Sequence, residues 1–428
     1  MTRQRLEVRR LGQRGEGVAE GTGGPVYVPY ALPGETVLAD PDAAGLAPEI
    51  LRVRPDRVAP VCPYFGTCGG CAVQSLPGGE YAAWKRGLVV DALRKAGVES
   101  EVAPLVGAHG AGRRRATFHA RAEASPNVLR RAPLRVGFMR ARSHEVIDLE
   151  ACPVLAPELG PALPAARRIA AALADTGKPL DLVVTASRDG LDIDLRGVGA
   201  LTPERRTVLA ALATALDLAR LSNHGDIIIE RRLPVLAMGR VSLVLPPGAF
   251  LQATTAGEDA MVALVAEAVG GARKVADLFC GLGTFALRLA GQATVSAFDL
   301  EGPALAALQR AAAATSGLKP VTAAARDLFR RPLAGAELAP FDAVVFDPPR
   351  AGALSQAEAL AASAVACVVA VSCNPMTFAR DAAALVGGGY RLERVTPIDQ
   401  FLFSPHLEIV GVFRRPKAKS RPRRTLFG

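Results

Sequence analysis

The spacing of apolar residues changes twice along the chain. Over residues 1–55, short apolar runs (LEVRRL, PVYVPY, ETVLAD and EILRVR) alternate with turns around Gly15, Gly17, Gly23, Gly24 and Pro33-Gly34. Short strands punctuated in this way predict a small β-barrel. From Glu80 to Ala96 (EYAAWKRGLVVDALRKA) the apolar period is helical, with Trp84, Leu88, Ala92 and Leu93 on one side. Val136 to Leu149 reads as a hairpin, Pro157 to Asp175 as an Ala-rich helix, and DLVVTAS and GLDIDLRG as alternating strands.

Near Thr254 the pattern becomes a regular exchange of helix and strand. EDAMVALVAEAV, TFALRLA, EGPALAALQRAAAAT and MTFARDAAALVG read as helices. KVADLF, TVSAFDL, FDAVVFDPP and SAVACVVAVSCNP carry strands between them, and YRLERVTPID and HLEIVGVFR look like a final strand pair. Repeated units of this kind predict a parallel sheet covered on both faces, with a ligand crevice at the carboxyl ends of its strands. The chain therefore divides into a barrel over 1–56, a central α+β segment over 57–249, an α/β Rossmann-like domain over 250–413 and a tail over 414–428.

Composition narrows the class. The chain has 428 residues, enough for roughly three domains at about 150 residues each. Half of it is hydrophobic and 21% charged, which excludes a disordered protein. MTRQRLEVRR has no apolar core of a secretion signal. The longest uncharged run, Ala359 to Ala379, is interrupted by Ser363, Ser372, Asn374 and Pro375, so it does not read as a membrane span. A cytoplasmic protein is expected. Its seven cysteines then point to metal binding or catalysis, not to disulfides.

The net charge of +10 is unevenly spread. Arg414 to Gly428 (RRPKAKSRPRRTLFG) holds seven basic residues and no acid, leaving +3 for the rest. Such a tail is expected to be disordered and suits a polyanion. Arg113 to Arg142 holds nine Arg, including the triplet Arg113, Arg114, Arg115 and the pair Arg130, Arg131, against the single acid Glu123. A solvated face in an Arg-preferring genome is the plainer reading, since only seven of 51 basic residues are Lys.

Four motifs fall at strand ends of the α/β region. Asp277-Leu-Phe-Cys-Gly-Leu-Gly-Thr284 turns a strand into a helix, and its glycines allow backbone to approach a ligand. The full dinucleotide spacing is absent. Asp299 ends the next strand, where an acid can accept hydrogen bonds from a ribose. S-adenosylmethionine is the nucleoside that fits best. Asp347-Pro-Pro-Arg350 and Ser372-Cys373-Asn374-Pro375 end two very apolar strands, and Glu408 lies at the opening of the last. Cys373 is a candidate nucleophile, whereas Cys367 and Cys280 read as small buried hydrophobes. Arg350 replaces the aromatic that adenine amino-methyltransferases carry after a related Pro-Pro turn.

Cys62, Cys68 and Cys71 lie in a Pro/Gly-rich loop after the barrel. They need a distant fourth ligand, for which Cys152 is the natural candidate. The spacing leaves an iron–sulfur cluster, zinc and free thiols open.

Taken together, GEGVAE, VPYALPGE, CPYFGTCGGC, DLFCGLGTF, DPPRAG, SCNP and HLE closely resemble, in order, the motifs of bacterial RNA uracil-C5 methyltransferases that carry an iron–sulfur cluster. These are the ribosomal-RNA members of the 5-methyluridine-forming family, and the resemblance spans nearly the whole chain. It implies that residues 1–55 are an OB-like TRAM barrel that binds RNA. It implies that Cys62, Cys68, Cys71 and Cys152 hold a [4Fe-4S] cluster. Gln252, Phe279, Thr284, Asp299, Asp327 and Asp347 would line the S-adenosylmethionine pocket, with Cys373 as nucleophile and Glu408 as general base. Thr284 stands where Asn is common and Asp299 where Glu is usual, and Glu301 could supply that acid instead. The helix over 80–96 would dock on the catalytic domain.

The expected reaction is methylation of uracil carbon 5 in RNA, with 23S ribosomal RNA as substrate and the barrel, the Arg113–Arg142 stretch and the tail holding the RNA backbone. A monomer is expected. The alternatives are the same chemistry on transfer RNA, an amino- or small-molecule methyltransferase on the same fold, a redox iron–sulfur protein, and a non-catalytic RNA-binding module.

Overall fold

A computed structural model describes residues 3–40, 47–122 and 134–416. Arg130, Arg131 and the tail from residue 417 onward lie outside the described residues. Among the described residues, no helix is long and apolar enough to cross a membrane.

The chain opens on five antiparallel strands: β1 (Gln4–Leu11), β2 (Gly17–Gly21), β3 (Gly24–Val28), β4 (Thr36–Ala39) and β5 (Glu49–Arg52). Their order is β3-β2-β1-β4-β5, and bulges in β1 and β4 bend the sheet around Leu6, Val8, Ala19, Val28 and Val37. Among the described residues, β3 and β5 at its two ends are not hydrogen-bonded to each other. Gly17, which reads as part of a turn, instead opens β2.

A loop carrying the three clustered cysteines leads to α1 (Gly78–Lys95) and the short β6 (Val106–Gly107). The next sheet contains β7 (Arg115–Ala122), β8 (Leu134–Met139), β9 (Val146–Asp148), β10 (Leu180–Ser187), β11 (Gly190–Arg196), β12 (Arg220–Asn223) and β13 (Asp226–Glu230). Alternate residues of β7 face the core, with Phe118 fully buried. Two helices, α2 (Ala162–Ala172) and α3 (Pro203–Ala215), share that core. A hairpin, β14 (Val235–Met238) and β15 (Val241–Val244), follows.

Next come α4 (Thr255–Ala268), β16 (Lys274–Leu278), α5 (Ala286–Leu289), β17 (Thr294–Asp299), α6 (Gly302–Ala313), β18 (Val321–Ala325) and β19 (Ala343–Phe346). The chain continues with α7 (Leu354–Ala361), β20 (Cys367–Ser372), α8 (Pro375–Gly387), β21 (Arg391–Asp399) and β22 (Glu408–Arg414). The sheet order is β18-β17-β16-β19-β20-β22-β21-β6, parallel except for the antiparallel β22. Its centre, AVVF and CVVAVS, is buried throughout, as expected for strands covered on both faces.

The early part of the chain completes this sheet. β6 pairs in parallel with β21, through Ile398 with Val106 and Asp399 with Gly107. On α1, Val89, Ala92 and Leu93 share a core with Phe378, Leu385 and Val395. Trp84 and Leu88, read as part of the packed side, are only partly buried, whereas Lys85 is completely enclosed.

Candidate active site

The carboxyl ends of β16, β17, β19 and β20 and the start of β22 bring the candidate residues to one edge of the sheet. β20 and β22 are antiparallel with Ser372 opposite Ile409, so the register carried one step further sets Cys373 opposite Glu408. Glu408 is 4% exposed. Cys373 is only partly covered, and it precedes α8, whose first turn is capped by Asn374 accepting from Met376 N at 3.0 Å. The Asn374 amide and the Thr377 hydroxyl both donate to Arg350 O, at 3.2 and 3.3 Å. That carbonyl ties the SCNP turn to the DPPR turn.

Asp347 lies one residue past the end of β19, with its N–H donating to Leu278 O at 3.2 Å. Gln252 donates from its amide to Asp347 Oδ2 at 3.3 Å. Its carbonyl accepts from Gln400 Nε2 at 2.8 Å, and the same nitrogen donates to Glu408 Oε1 at 3.1 Å. Four side chains therefore form one line, Asp347–Gln252–Gln400–Glu408. Gln400 is a residue that sequence reasoning missed. It is 1% exposed, in the loop between β21 and β22.

Electrostatics in this crevice favour neutral forms. Burial and the neighbouring Asp347 push Glu408 up to about 8, against the pull of the Gln400 hydrogen bond. Burial pushes Asp347 up to about 7. The Cys373 thiol is pushed up to about 11 by burial and by Glu408 and Asp347, with Arg350 pulling the other way. A cation placed beside these acids would draw them back toward the charged form.

The turn after β16 is shaped for close approach. Phe279 has φ 60°, in the left-handed region that a side chain rarely adopts, and its ring lies 5.3 Å from that of Phe329. A Cβ on Gly283 (φ 85°) would meet Leu308 at 2.5 Å, so only glycine fits there. Asp299 accepts from Gly281 N at 2.8 Å with one oxygen and from Glu301 N at 2.9 Å with the other. Asp299 thus holds the turn and the start of α6 together, while Glu301 is exposed at the helix cap. Asp327 is occupied locally, accepting from Phe329 N and Arg330 N at 3.1 Å each. Thr284 is partly buried in the same turn. Behind it, fully buried Asp277 accepts from Ala286 N at 2.8 Å and leaves its Oδ1 without a partner. Burial raises Asp277 well above the carboxylate range.

Cys62, Cys68, Cys71 and Cys152 all line a second cavity, of about 360 Å³, with Tyr64, Phe138 and Phe401. Burial raises the thiols of Cys68 and Cys152, and that of Cys71 to about 11. Gln74 Nε2, Arg113 Nε and Arg115 Nε are buried without hydrogen-bond partners, and all three residues line this cavity. Buried donors facing four thiols suit a sulfur-rich, negatively charged group. Among the described residues, no three His, Cys, Asp or Glu gather as the ligands of a single metal ion. Cys280 and Cys367 are buried, as the hydrophobe reading expects.

The basic stretch departs from expectation. Arg114 is 8% exposed; it pairs with the buried Glu258 and donates to Gln252 O at 3.2 Å. Arg115 is lowered by burial. Arg121 pairs with Asp181, Arg135 and Arg140 with Glu145, and Arg142 with Glu16. These arginines hold segments of the protein together and do not form one bare cationic face. Glu16, Asp181 and Glu258 are far away in sequence and Glu145 lies just past the end of the stretch, so a charge count over 113–142 misses all four.

The chain is similar along most of its length to several known proteins. Residues 226–416 match the family described as tRNA (uracil-5-)-methyltransferase. An uncharacterized RNA methyltransferase of Brucella suis is 49% identical over 412 residues, covering 96% of this chain and 97% of that one. The 23S rRNA (uracil(1939)-C(5))-methyltransferase RlmD of Pseudomonas fluorescens is 35% identical over 434 residues, covering 96% and 94%. The crystal structure of Pyrococcus abyssi tRNA (uracil-54, C5)-methyltransferase, in complex with S-adenosyl-L-homocysteine, has the same fold. Its TM-score is 0.71 at 23% identity, covering 96% of this chain and 99% of that one.

Proposed function

The chain belongs to the RNA uracil-5-methyltransferase family, and from that premise we propose that it methylates a uridine of 23S ribosomal RNA through a covalent Cys373–carbon 6 adduct. The observation that carries the mechanism is the register setting Cys373 opposite Glu408, in line with Gln252 and Asp347. The relative RlmD, similar along nearly its whole length, supports the ribosomal substrate.

Carbon 5 of uracil is a poor nucleophile until carbon 6 is saturated. The Cys373 thiolate adds to carbon 6, and the ring electrons move onto oxygen 4 as an enolate. Carbon 5 then attacks the methyl group of S-adenosylmethionine, and S-adenosylhomocysteine leaves. The Glu408 carboxylate takes the carbon-5 proton, the carbon–sulfur bond breaks, and Cys373 returns as thiolate. Asp347 and Gln252 bind the donor, whose cationic sulfonium and ammonium groups favour the charged carboxylates. Phe279, Thr284, Asp299 and Asp327 line the rest of its pocket. A paired uridine could not reach Cys373, so the target is flipped or lies in a loop.

Residues 1–56 act as a TRAM-type RNA-binding module, 57–249 as the central segment and 250–413 as the catalytic domain; β22 extends that domain to Arg414 and Arg415 packs on Tyr390, so the basic RNA-binding tail begins after them and not at 414. Cys62, Cys68, Cys71 and Cys152 would hold a [4Fe-4S] cluster, with Gln74, Arg113 and Arg115 as donors toward it. The reaction has no redox step, so the group would supply structure to the loop.

The test is mass spectrometry of nucleosides from ribosomal and transfer RNA incubated with the protein and labelled S-adenosylmethionine. Labelled 5-methyluridine in 23S RNA, absent with Cys373→Ala, is expected. Label in transfer RNA alone would move the substrate, and no label in either would overturn the reading.

A further inference from the structure

The line of side chains from Asp347 to Glu408 is held in one orientation by a backbone group. Thr254 N–H donates to Gln400 Oε1 at 3.2 Å, and a backbone N–H cannot exchange donor for acceptor. The Gln400 amide nitrogen must therefore face the opposite way, where it meets Gln252 Oε1 at 2.8 Å and Glu408 Oε1 at 3.1 Å. Because the Gln252 oxygen is taken up by that bond, its own nitrogen is turned toward Asp347, at 3.3 Å.

The surroundings are built for this contact. Thr254 is the cap of α4, accepting from Gly257 N at 2.9 Å and donating to Ala108 O at 2.6 Å. A Cβ on Gly257 would stand 2.7 Å from Gln400 Cβ and 2.7 Å from its Oε1. Glycine in the first turn of α4 makes room for the glutamine. All of the hydrogen-bonding capacity of the Gln400 nitrogen is used inside the protein, so it has none left for substrate.

We propose that Gln400 is a positioning residue that couples the donor site to the base, turning Gln252 toward the methyl donor and holding one oxygen of Glu408 so that the other is free for the carbon-5 proton. This rests on the uracil-5 methylation reading above. Without Gln400, the Gln252 amide can reverse and set its oxygen against Asp347, and Glu408 loses a donor to its charged form. The groups facing Glu408 are the Asp347 carboxyl from the end of β19, the Cys373 thiol from the end of β20 and the Gln400 amide itself. Arg350, Arg113 and Lys85 face His406, two residues earlier. Of the groups acting on Glu408, Asp347 disfavours its charge and Gln400 favours it.

The full-length variants Gln400→Met, which keeps volume, and Gln400→Glu, which keeps shape, test this. One readout is the affinity for S-adenosylhomocysteine by calorimetry. The other is the pH dependence of single-turnover 5-methyluridine formation. We expect about tenfold weaker binding, and an acidic limb moved up by about one pH unit, with the far-UV spectrum unchanged. A folded variant with wild-type affinity and wild-type pH profile would overturn the proposal. Movement at only one end would overturn the coupling. If Met at this position does not fold, the isosteric Glu variant carries the same two measurements. Failure of the underlying reading would look different, because the wild-type protein would then form no 5-methyluridine.

Discussion

Lys85 and Asp399, 314 residues apart in the chain, form an ion pair shut off from solvent, with Nζ 2.5 Å from Oδ1. Lys85 also donates to Phe401 O at 3.1 Å and His406 O at 2.7 Å. Tyr81, one turn earlier on α1, donates to Asp399 Oδ2 at 2.5 Å and accepts from Phe403 N at 3.0 Å. Helix α1 thus fastens both ends of the loop that carries Gln400 and leads into Glu408. Replacing Lys85 by Met leaves Asp399 buried without its cation. A loss of about 3–5 kcal/mol is expected in urea denaturation. A loss below about 1 kcal/mol would mean that the loop is held by other contacts.

Cys373 and Glu408 should separate cleanly with RNA containing 5-fluorouridine, which has no carbon-5 proton to remove. Wild-type protein is expected to accumulate a methylated covalent complex visible on a denaturing gel. Glu408→Gln should form it as well, because the base acts after the bond is made. Cys373→Ala should form none. A complex with Cys373→Ala would assign the nucleophile elsewhere.

The pH profile should rise across neutrality. In the proposed mechanism Glu408 and Cys373 both work without their protons, and both are pushed upward: Glu408 to about 8 and Cys373 to about 11. Because Cys373 acts before methyl transfer and Glu408 after it, kcat/KM should follow the thiol and increase by up to tenfold per pH unit between pH 6 and 8. A profile flat from pH 6 to 8 would show that neither group limits the reaction.

Asp347 links function to stability. Its folded-state value, about 7, lies above that of an unfolded chain. The native protein therefore binds more protons than the unfolded one from about pH 4 upward. The stability it contributes is fully present at low pH and is lost as pH rises through 7. Asp347→Asn should accordingly raise the melting temperature at pH 8 while weakening S-adenosylhomocysteine binding by tenfold or more. If the variant is less stable than wild type at pH 8, the carboxylate is not the strained group.

Iron content tests the cysteine cavity without reference to methylation. Protein purified without oxygen is expected to carry about four irons per chain with visible sulfide-to-iron absorbance, and Cys152→Ala should lose most of it. Removing the metal should also open residues 62–71 to proteolysis, since the three cysteines there would lose their shared group, while Val73 and Leu76 stay packed on Leu32. A metal-free wild-type preparation with the same protease resistance would remove the case for a structural group.

Much of the catalytic sheet was legible because its strands are apolar runs ended by Pro, Gly or Asn. DPPR and SCNP announce strand ends through their own backbone limits. The candidate catalytic pair was legible through motif order. Gln400 was not, because a single glutamine in DQF carries no period and its importance comes from three partners on other elements. Lys85 lies outside the apolar set Trp84, Leu88, Ala92 and Leu93, and its burial depends on Asp399 far along the chain. The Arg113–Arg115 triplet misled for the same reason: Glu258, which neutralises Arg114, lies beyond two intervening helices. β6, two residues long, has no pattern at all, and it exists as a strand because β21 offers an edge.

That edge has a consequence for how the chain is made. β6 and α1 leave the ribosome well before their partners β21 and β22. Contacts this distant close slowly. Until they close, Val89 and Leu93 have no catalytic core to cover and Lys85 has no carboxylate. A nascent chain stopped before Asp399 would hold the cysteine loop and the Cys373 turn together with an unfinished sheet. Competence to methylate would therefore arrive in one step, when β21 and β22 emerge and meet the segment that has been waiting for them.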